Sequence, residues 1–193
     1  TKGVVTPGIK SKITPESEED LEPEQATRYR ALVARANYLA QDRPDIQYAT
    51  KELCRDMSSP KQRSWESLKR LARYLVAKPR FVIEYKRQTA LDHLETWVDT
   101  DYAGCPRTRK STSGGLVKMG KHVVKSWSST QKVVSLSSGE AEYYGMVKGT
   151  SMGKGVQAIL GDMGLKGDIT ALGNVPELHT DSSAAKGMAN RKG

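Results

Sequence analysis

The sequence predicts an α+β architecture, a mixed sheet with helices preceded by a small helical subdomain, on three observations. Between Thr27 and Ala77 apolar residues recur at helical spacing. After Lys78-Pro79 the period shortens and several strand-like runs follow one another. A single long helical pattern then starts at Ser137, and one more short strand-like run closes the series near Glu177 to Thr180. Consecutive strands, a helix and a further strand describe a sheet with one face covered by helix.

Residues 1–26 are rich in Lys, Glu, Pro and Ser, with few large apolar groups beyond Val4, Val5, Ile9, Ile13 and Leu21. Such a composition offers little burial to offset ordering entropy, so a linker or extended strap is expected. The chain begins without Met, as a piece of something longer would. Residues 27–80 form the expected helical subdomain. Its first helix carries Tyr29, Leu32, Val33, Ala36, Leu39 and Ala40 on one face, with Arg28, Arg30 and Arg35 largely off it. Pro44 suits the first turn of a second helix, Asp45 to about Met57, with Ile46, Ala49, Leu53 and Met57 inward. A third, from about Pro60 to Ala77, turns Trp65, Leu68, Leu71, Ala72 and Leu75 inward and leaves Arg63, Lys69, Arg70 and Arg73 outside.

Residues 81–193 carry the sheet. Strands are expected at Phe81–Tyr85, Leu94–Asp99, Gly115–Met119, His122–Trp127 across the Gly120-Lys121 turn, and Lys132–Leu136. The long helix from Ser137 to about Leu160 contains Gly145, Gly149, Gly153 and Gly155, each costing about 0.5–1 kcal/mol relative to Ala in a helix interior. Either it breaks near Gly153 or it packs unusually close to a neighbour.

The formal charge of +9 is unevenly placed: residues 1–25 carry −3, residues 26–90 carry +9 and residues 91–193 carry +3. The surplus suits either a nucleic-acid grip or plain solvated helix faces. Cys54 and Cys105 have no second cysteine near them, which excludes zinc spacing and a disulfide framework and fits reduced thiols. No apolar run reaches membrane-spanning length and no signal-peptide pattern opens the chain, so a soluble intracellular protein without a membrane partner is expected.

Three acidic points stand out. Thr96-Trp97-Val98-Asp99-Thr100-Asp101 ends an apolar strand in carboxylates, Ser137-Ser138-Gly139-Glu140-Ala141-Glu142 opens the long helix, and Thr180-Asp181 ends the last strand. Carboxylates on such rigid elements can converge on hard divalent cations, which take oxygen ligands. Glu140 stands at capping-box spacing from Ser137, which gives it a structural task; Glu142 has none, and is preferred as the functional acid. Gly149-Thr150-Ser151-Met152-Gly153 matches a hydrolase nucleophile elbow in letters only, because it lies inside a helical run.

In their order and wording, Trp97–Gly104, Arg109-Lys110-Ser111-Thr112-Ser113-Gly114, Ser137–Tyr143 and Asp181-Ser182-Ser183-Ala184 resemble the ribonuclease H domain of copia-type retrotransposon Pol polyproteins. Upstream, Arg28-Tyr29-Arg30, Tyr38-Leu39-Ala40, Arg43-Pro44-Asp45-Ile46 and Leu71–Leu75 resemble the segment that links that family's reverse transcriptase to its ribonuclease H. The resemblance implies a ribonuclease H-like fold and a metal-dependent endonuclease that cuts the RNA strand of an RNA–DNA hybrid. It implies Asp99, Glu142 and Asp181 as catalytic metal ligands, with Asp101 and Glu140 as alternates. Two Mg²⁺ ions are implied, for which Mn²⁺ can substitute.

The partners implied are the hybrid and the upstream reverse transcriptase domain of the same polyprotein, in a cytoplasmic virus-like particle or the nucleus. Lys110, Ser111, Thr112 and Ser113 are candidates for backbone phosphates, with a turn-and-cap role as the alternative. A fourth metal-side Asp or His is implied beyond Gly193, so the domain is expected to be truncated at its C-terminus. No polymerase Tyr-x-Asp-Asp motif occurs. The rival reading is a non-catalytic nucleic-acid-binding module of the same fold.

Overall fold

The protein is described by a computed structural model over residues 2–9, 14, 16–88, 93–164 and 176–191. It separates into two compact units, 1–83 and 84–193.

In the first unit, helices α1 (Pro23–Leu39), α2 (Gln47–Arg55) and α3 (Gln62–Ala77) enclose a core of Tyr29, Val33, Ile46, Leu53, Leu68 and Leu71. A short 3-10 turn, Pro44–Ile46, leads into α2. The expected inward face is largely observed, except that Leu32 and Leu39 are more than a third exposed and Ala72 of α3 is exposed. The phenol of Tyr29, buried in the core, donates to the Leu53 carbonyl at 2.8 Å. Helix α1 starts inside the stretch expected to be a linker. The segment before it is pinned to the start of α3 by Leu21 N–H to Pro60 O and Gln62 N–H to Glu19 O. Arg63 does not face free solvent as its position suggested; it pairs with Asp56 at 3.1 Å and with Glu18.

The second unit is a four-stranded mixed sheet ordered β3-β2-β1-β4, formed by β1 (Leu94–Asp101), β2 (Thr112–Met119), β3 (His122–Thr130) and β4 (Glu177–His179). The β1–β2 and β2–β3 pairs are antiparallel, and β4 joins β1 in parallel. Helix α4 (Ser138–Asp162) packs on β1 and β2, and the short α5 (Ser183–Ala189) packs against α4. With five helices among the described residues, this is the expected α+β arrangement, compatible with a ribonuclease H-like sheet.

Two expected strands are absent. Phe81–Tyr85 joins no ladder, and its apolar side chains are at least 40% exposed. Further along the same stretch, contact with the β2–β3 hairpin is made by side chains instead: Tyr85 Oη donates to Val123 O of β3 at 3.1 Å, and Gln88 Nε2 to Met119 O at the end of β2 at 3.0 Å. Lys132–Leu136 is a loop, because β3 itself continues to Thr130 and the buried Gln131 then ties the chain to the start of α4. Val133, Val134 and Leu136, whose strand propensity suggested the ladder, are exposed.

The long helix does not break. Gly145, Gly149 and Gly153 lie along one buried stripe of α4 against the inward-facing Thr100, Val98 and Thr96 of β1. A Cβ at Gly145 or Gly153 would stand 2.6 Å from a threonine hydroxyl, and one at Gly149 would overlap Val98. Gly155 faces open space. Gly155→Ala should therefore stabilise the fold by about 0.5–1 kcal/mol through helix propensity alone, as read by chemical denaturation.

Candidate metal centre

Strand β1 alternates, burying Leu94, Thr96, Val98 and Thr100 and exposing Trp97, Asp99 and Asp101. The strand runs two residues beyond its expected end, so Asp99 lies within the β2 ladder opposite Gly114 and Asp101 is the terminal residue. Glu142 comes from the start of α4, whose N-cap is Ser137, its hydroxyl accepting from Glu140 N–H at 3.1 Å. Asp181 lies just past β4, ahead of Ser182, which caps α5 by accepting from Ala185 N–H. Parallel pairing of β4 with β1 brings Asp181 beside Asp99. One oxygen from each of Asp99, Glu142 and Asp181 lies within 4.8 Å of the others.

Burial, then the charges of Asp99 and Asp181, push the Glu142 carboxyl above its ordinary value; the neighbouring Thr100 opposes that rise. Glu142 Oε2 is buried and lacks a hydrogen-bond partner. Asp99 Oδ1 accepts from Thr100 N–H at 2.9 Å. Three crowded carboxylates with one orphaned oxygen are unfavourable by themselves and fit a hard divalent cation.

The alternates have other tasks. Asp101 turns its carboxylate toward Gly104, filling space that any Cβ there would need. Glu140 caps the helix entry, though one residue earlier than its spacing implied: Oε2 accepts from Leu136 N–H at 2.8 Å rather than from Ser137. Of the four phosphate candidates, Ser111, Thr112 and Ser113 are buried. Ser111 Oγ accepts from Ala103 N–H and Ser113 Oγ from Gln131 Nε2, while Lys110 is half-buried in the loop between β1 and β2. The stretch resembling a nucleophile elbow lies inside α4.

A second group, Glu95, Glu177 and His179, also meets ligand spacing. Here a cation is already in place: Lys118 Nζ stands 2.8 Å from Glu95 Oε2, which also accepts from Trp97 Nε1. The Trp97 ring stacks on His179 at 4.3 Å. Lys118 and Trp97, with a smaller contribution from His93, hold the Glu95 carboxyl down at about 2. A carboxyl depressed in the folded state stabilises fully above its ordinary value of 4.5 and loses that contribution as pH falls toward 2. In Lys118→Met, the loss of stability between pH 5 and pH 2 should therefore be shallower, measured by denaturant titration at each pH.

Two contributors carried no signal in the sequence: Thr100, which faces Glu142, and Gln131, whose buried amide contacts Ala141 just before it. Their roles depend on contacts between distant segments, which residue type alone does not report.

The chain is 36% identical over 160 residues to the retrovirus-related Pol polyprotein from transposon RE2 of Arabidopsis thaliana, covering 82% of this chain and 10% of that protein. It is 38% identical over 141 residues to the Pol polyprotein from transposon RE1 of the same plant, again 10% of its length. A shorter relative, secreted RxLR effector protein 161 of Plasmopara viticola, is 36% identical over 108 residues, 56% of this chain and 75% of that protein. The chain thus spans about a tenth of the Pol polyproteins it matches. No family profile and no solved structure matches it.

Proposed function

The chain belongs to the retrovirus-related Pol polyproteins of copia-type transposons, and we propose that its 84–193 unit is the ribonuclease H of such a polyprotein, a metal-dependent endonuclease that cuts the RNA strand of RNA–DNA hybrids. The observation that carries this reading is the meeting of Asp99, Glu142 and Asp181 from a central strand, a helix and a parallel strand. In the same reading the 1–83 unit is the segment connecting it to the upstream reverse transcriptase. The work takes place in a cytoplasmic particle or the nucleus. No helix of the described residues is long and apolar enough to cross a membrane.

Asp99, Glu142 and Asp181 would hold Mg²⁺, with Mn²⁺ as substitute; when bound, the metal activates water and stabilises the oxygen leaving the scissile phosphate. The protein's own part is to present the three carboxylates from rigid elements, so that little reorganisation accompanies binding. Glu142 has the most to gain: its buried Oε2 acquires a partner and its repulsion with the two aspartates is neutralised. Recognition of the hybrid would rest on groove shape, phosphates and RNA 2′-hydroxyls rather than base sequence.

The test is Mg²⁺-dependent cleavage of a labelled hybrid by this chain, or by a longer polyprotein segment that includes it, compared with Asp181→Asn. Cleavage by the parent and none by the variant is the expected result. Hybrid binding without cleavage in either Mg²⁺ or Mn²⁺ would replace the enzyme with a non-catalytic binding module.

A further inference from the structure

We propose that Gln131 is a positioning residue for the metal centre, fixing Glu142 against β1 through the backbone of α4; this rests on the metal-centre reading above. Gln131 follows β3 directly and is buried. Its Nε2 donates twice, to Ser113 Oγ at 2.9 Å and to the Ala141 carbonyl at 2.8 Å. Its Oε1 accepts from Ser135 Oγ at 3.0 Å, and its backbone N–H donates to Ser111 O at 2.8 Å.

The two partners of Nε2 define what is being joined. Ser113 lies on β2 opposite Thr100, one ladder step from the Asp99–Gly114 pair. Ala141 is fully buried and immediately precedes Glu142. One planar amide thus spans from the sheet at the level of Asp99 to the peptide group that carries Glu142. Gly145, one turn further along α4, meets Thr100 and Ser113 from the other side of the same contact. Glycine permits the close approach of helix and sheet, and the amide sets its register.

Both amide hydrogens and the carbonyl of Gln131 are engaged, so the group has a single satisfied orientation. An apolar side chain of similar length would fill the space but leave the Ser113 and Ser135 hydroxyls and the second lone pair of Ala141 without their partner. Helix and sheet would then lose their hydrogen-bonded link beside Glu142, keeping packing and the bond from Lys148 Nζ to Ser129 Oγ further along α4, and Glu142 would lose its fixed distance from Asp99 and Asp181. Groups that orient metal ligands without touching the metal typically change metal affinity or activity by about 10- to 100-fold when removed.

The experiment is Mn²⁺ binding to the whole 1–193 chain by calorimetry, for the parent, Gln131→Met and Ser135→Ala, with melting followed by circular dichroism. Gln131→Met should remain folded and bind Mn²⁺ about tenfold more weakly. In hybrid cleavage, kcat should fall by a similar factor while KM for the hybrid stays within about twofold. A purely structural role would lower the melting temperature and leave affinity and kcat unchanged in the folded variant, which would overturn the proposal. Should Gln131→Met fail to fold, Ser135→Ala decides, because it removes only the bond to Oε1: weaker Mn²⁺ binding supports the positioning role and parental binding overturns it. A parent that binds no Mn²⁺ removes the metal centre and this role together, whereas a parent that binds beside variants that bind equally well removes only the role of Gln131.

Discussion

Asp99→Asn should melt about 2–4 °C above the parent in EDTA while losing about a thousandfold in Mg²⁺-dependent hybrid cleavage, roughly 4 kcal/mol of transition-state stabilisation. The two effects have one cause. Without a cation the cluster of Asp99, Glu142 and Asp181 is repulsive, and after burial the charge of Asp99 is the next cause of the raised Glu142 carboxyl. A carboxyl raised in the folded state keeps its proton longer than in the unfolded chain. Its ionisation therefore costs stability as pH climbs from the ordinary 4.5 through the raised value. Removing the Asp99 charge makes that loss shallower. Bound metal reverses the sign, so Mg²⁺ should raise the melting temperature of the parent more than that of the variant. Melting curves with EDTA and with Mg²⁺, across pH 4 to 8, check both halves; a variant less stable than the parent in EDTA would contradict the repulsive cluster.

Gly149→Ala should destabilise the protein by about 1–3 kcal/mol, although it adds a good helix former to an α-helix. The new methyl would overlap Val98 Cγ1 and stand 3.2 Å from both Leu178 Cδ1 and Thr96 Cγ2, so it meets both β1 and β4. These neighbours are strand residues with little room to retreat, and relief requires moving α4 away from the sheet. That movement carries Glu142 with it, so cleavage should fall along with stability. Urea denaturation and hybrid cleavage of the same variant test the two consequences. The opposite sign expected for Gly155→Ala, six residues further along the same helix, separates close packing from helix propensity.

The readable parts of this fold were those written in local pattern. The faces of α1 and α3 follow from helical spacing around Tyr29 and Val33 or Leu68 and Leu71, and the β2–β3 hairpin follows from Gly120 between two apolar runs. Asp99, Glu142 and Asp181 could be singled out because each was expected near the end or start of an element and matches an ordered motif. Lys132–Leu136 misled because Val133 and Val134 have strand propensity, while the fate of the segment was decided by Gln131 making non-local bonds. Four glycines in one helix signalled either a break or a close approach. Only the side chains of β1 beneath three of them decide between those outcomes. For Ser111, Thr112 and Ser113 the residue types suited phosphate contact, but β2 begins at Thr112 and draws these side chains inward.

The three carboxylates are not anchored equally. Asp99 belongs to a strand paired along its whole length with β2, and Glu142 to a helix bolted to that strand, whereas Asp181 follows a strand that, among the described residues, holds β1 through three register pairs, Glu95–Glu177 to Trp97–His179. Local opening of β4 exposes far less surface than unfolding the unit, so it costs a fraction of the global free energy. On the proposed metal-centre reading, opening of β4 would give the site a two-carboxylate substate, and a cation bound by all three ligands would also supply the work of closing the third. Amide protons of Leu178 and His179 should accordingly exchange faster than those of β1 in EDTA and slow on adding Mn²⁺, which makes the edge of the sheet the element whose order is linked to metal.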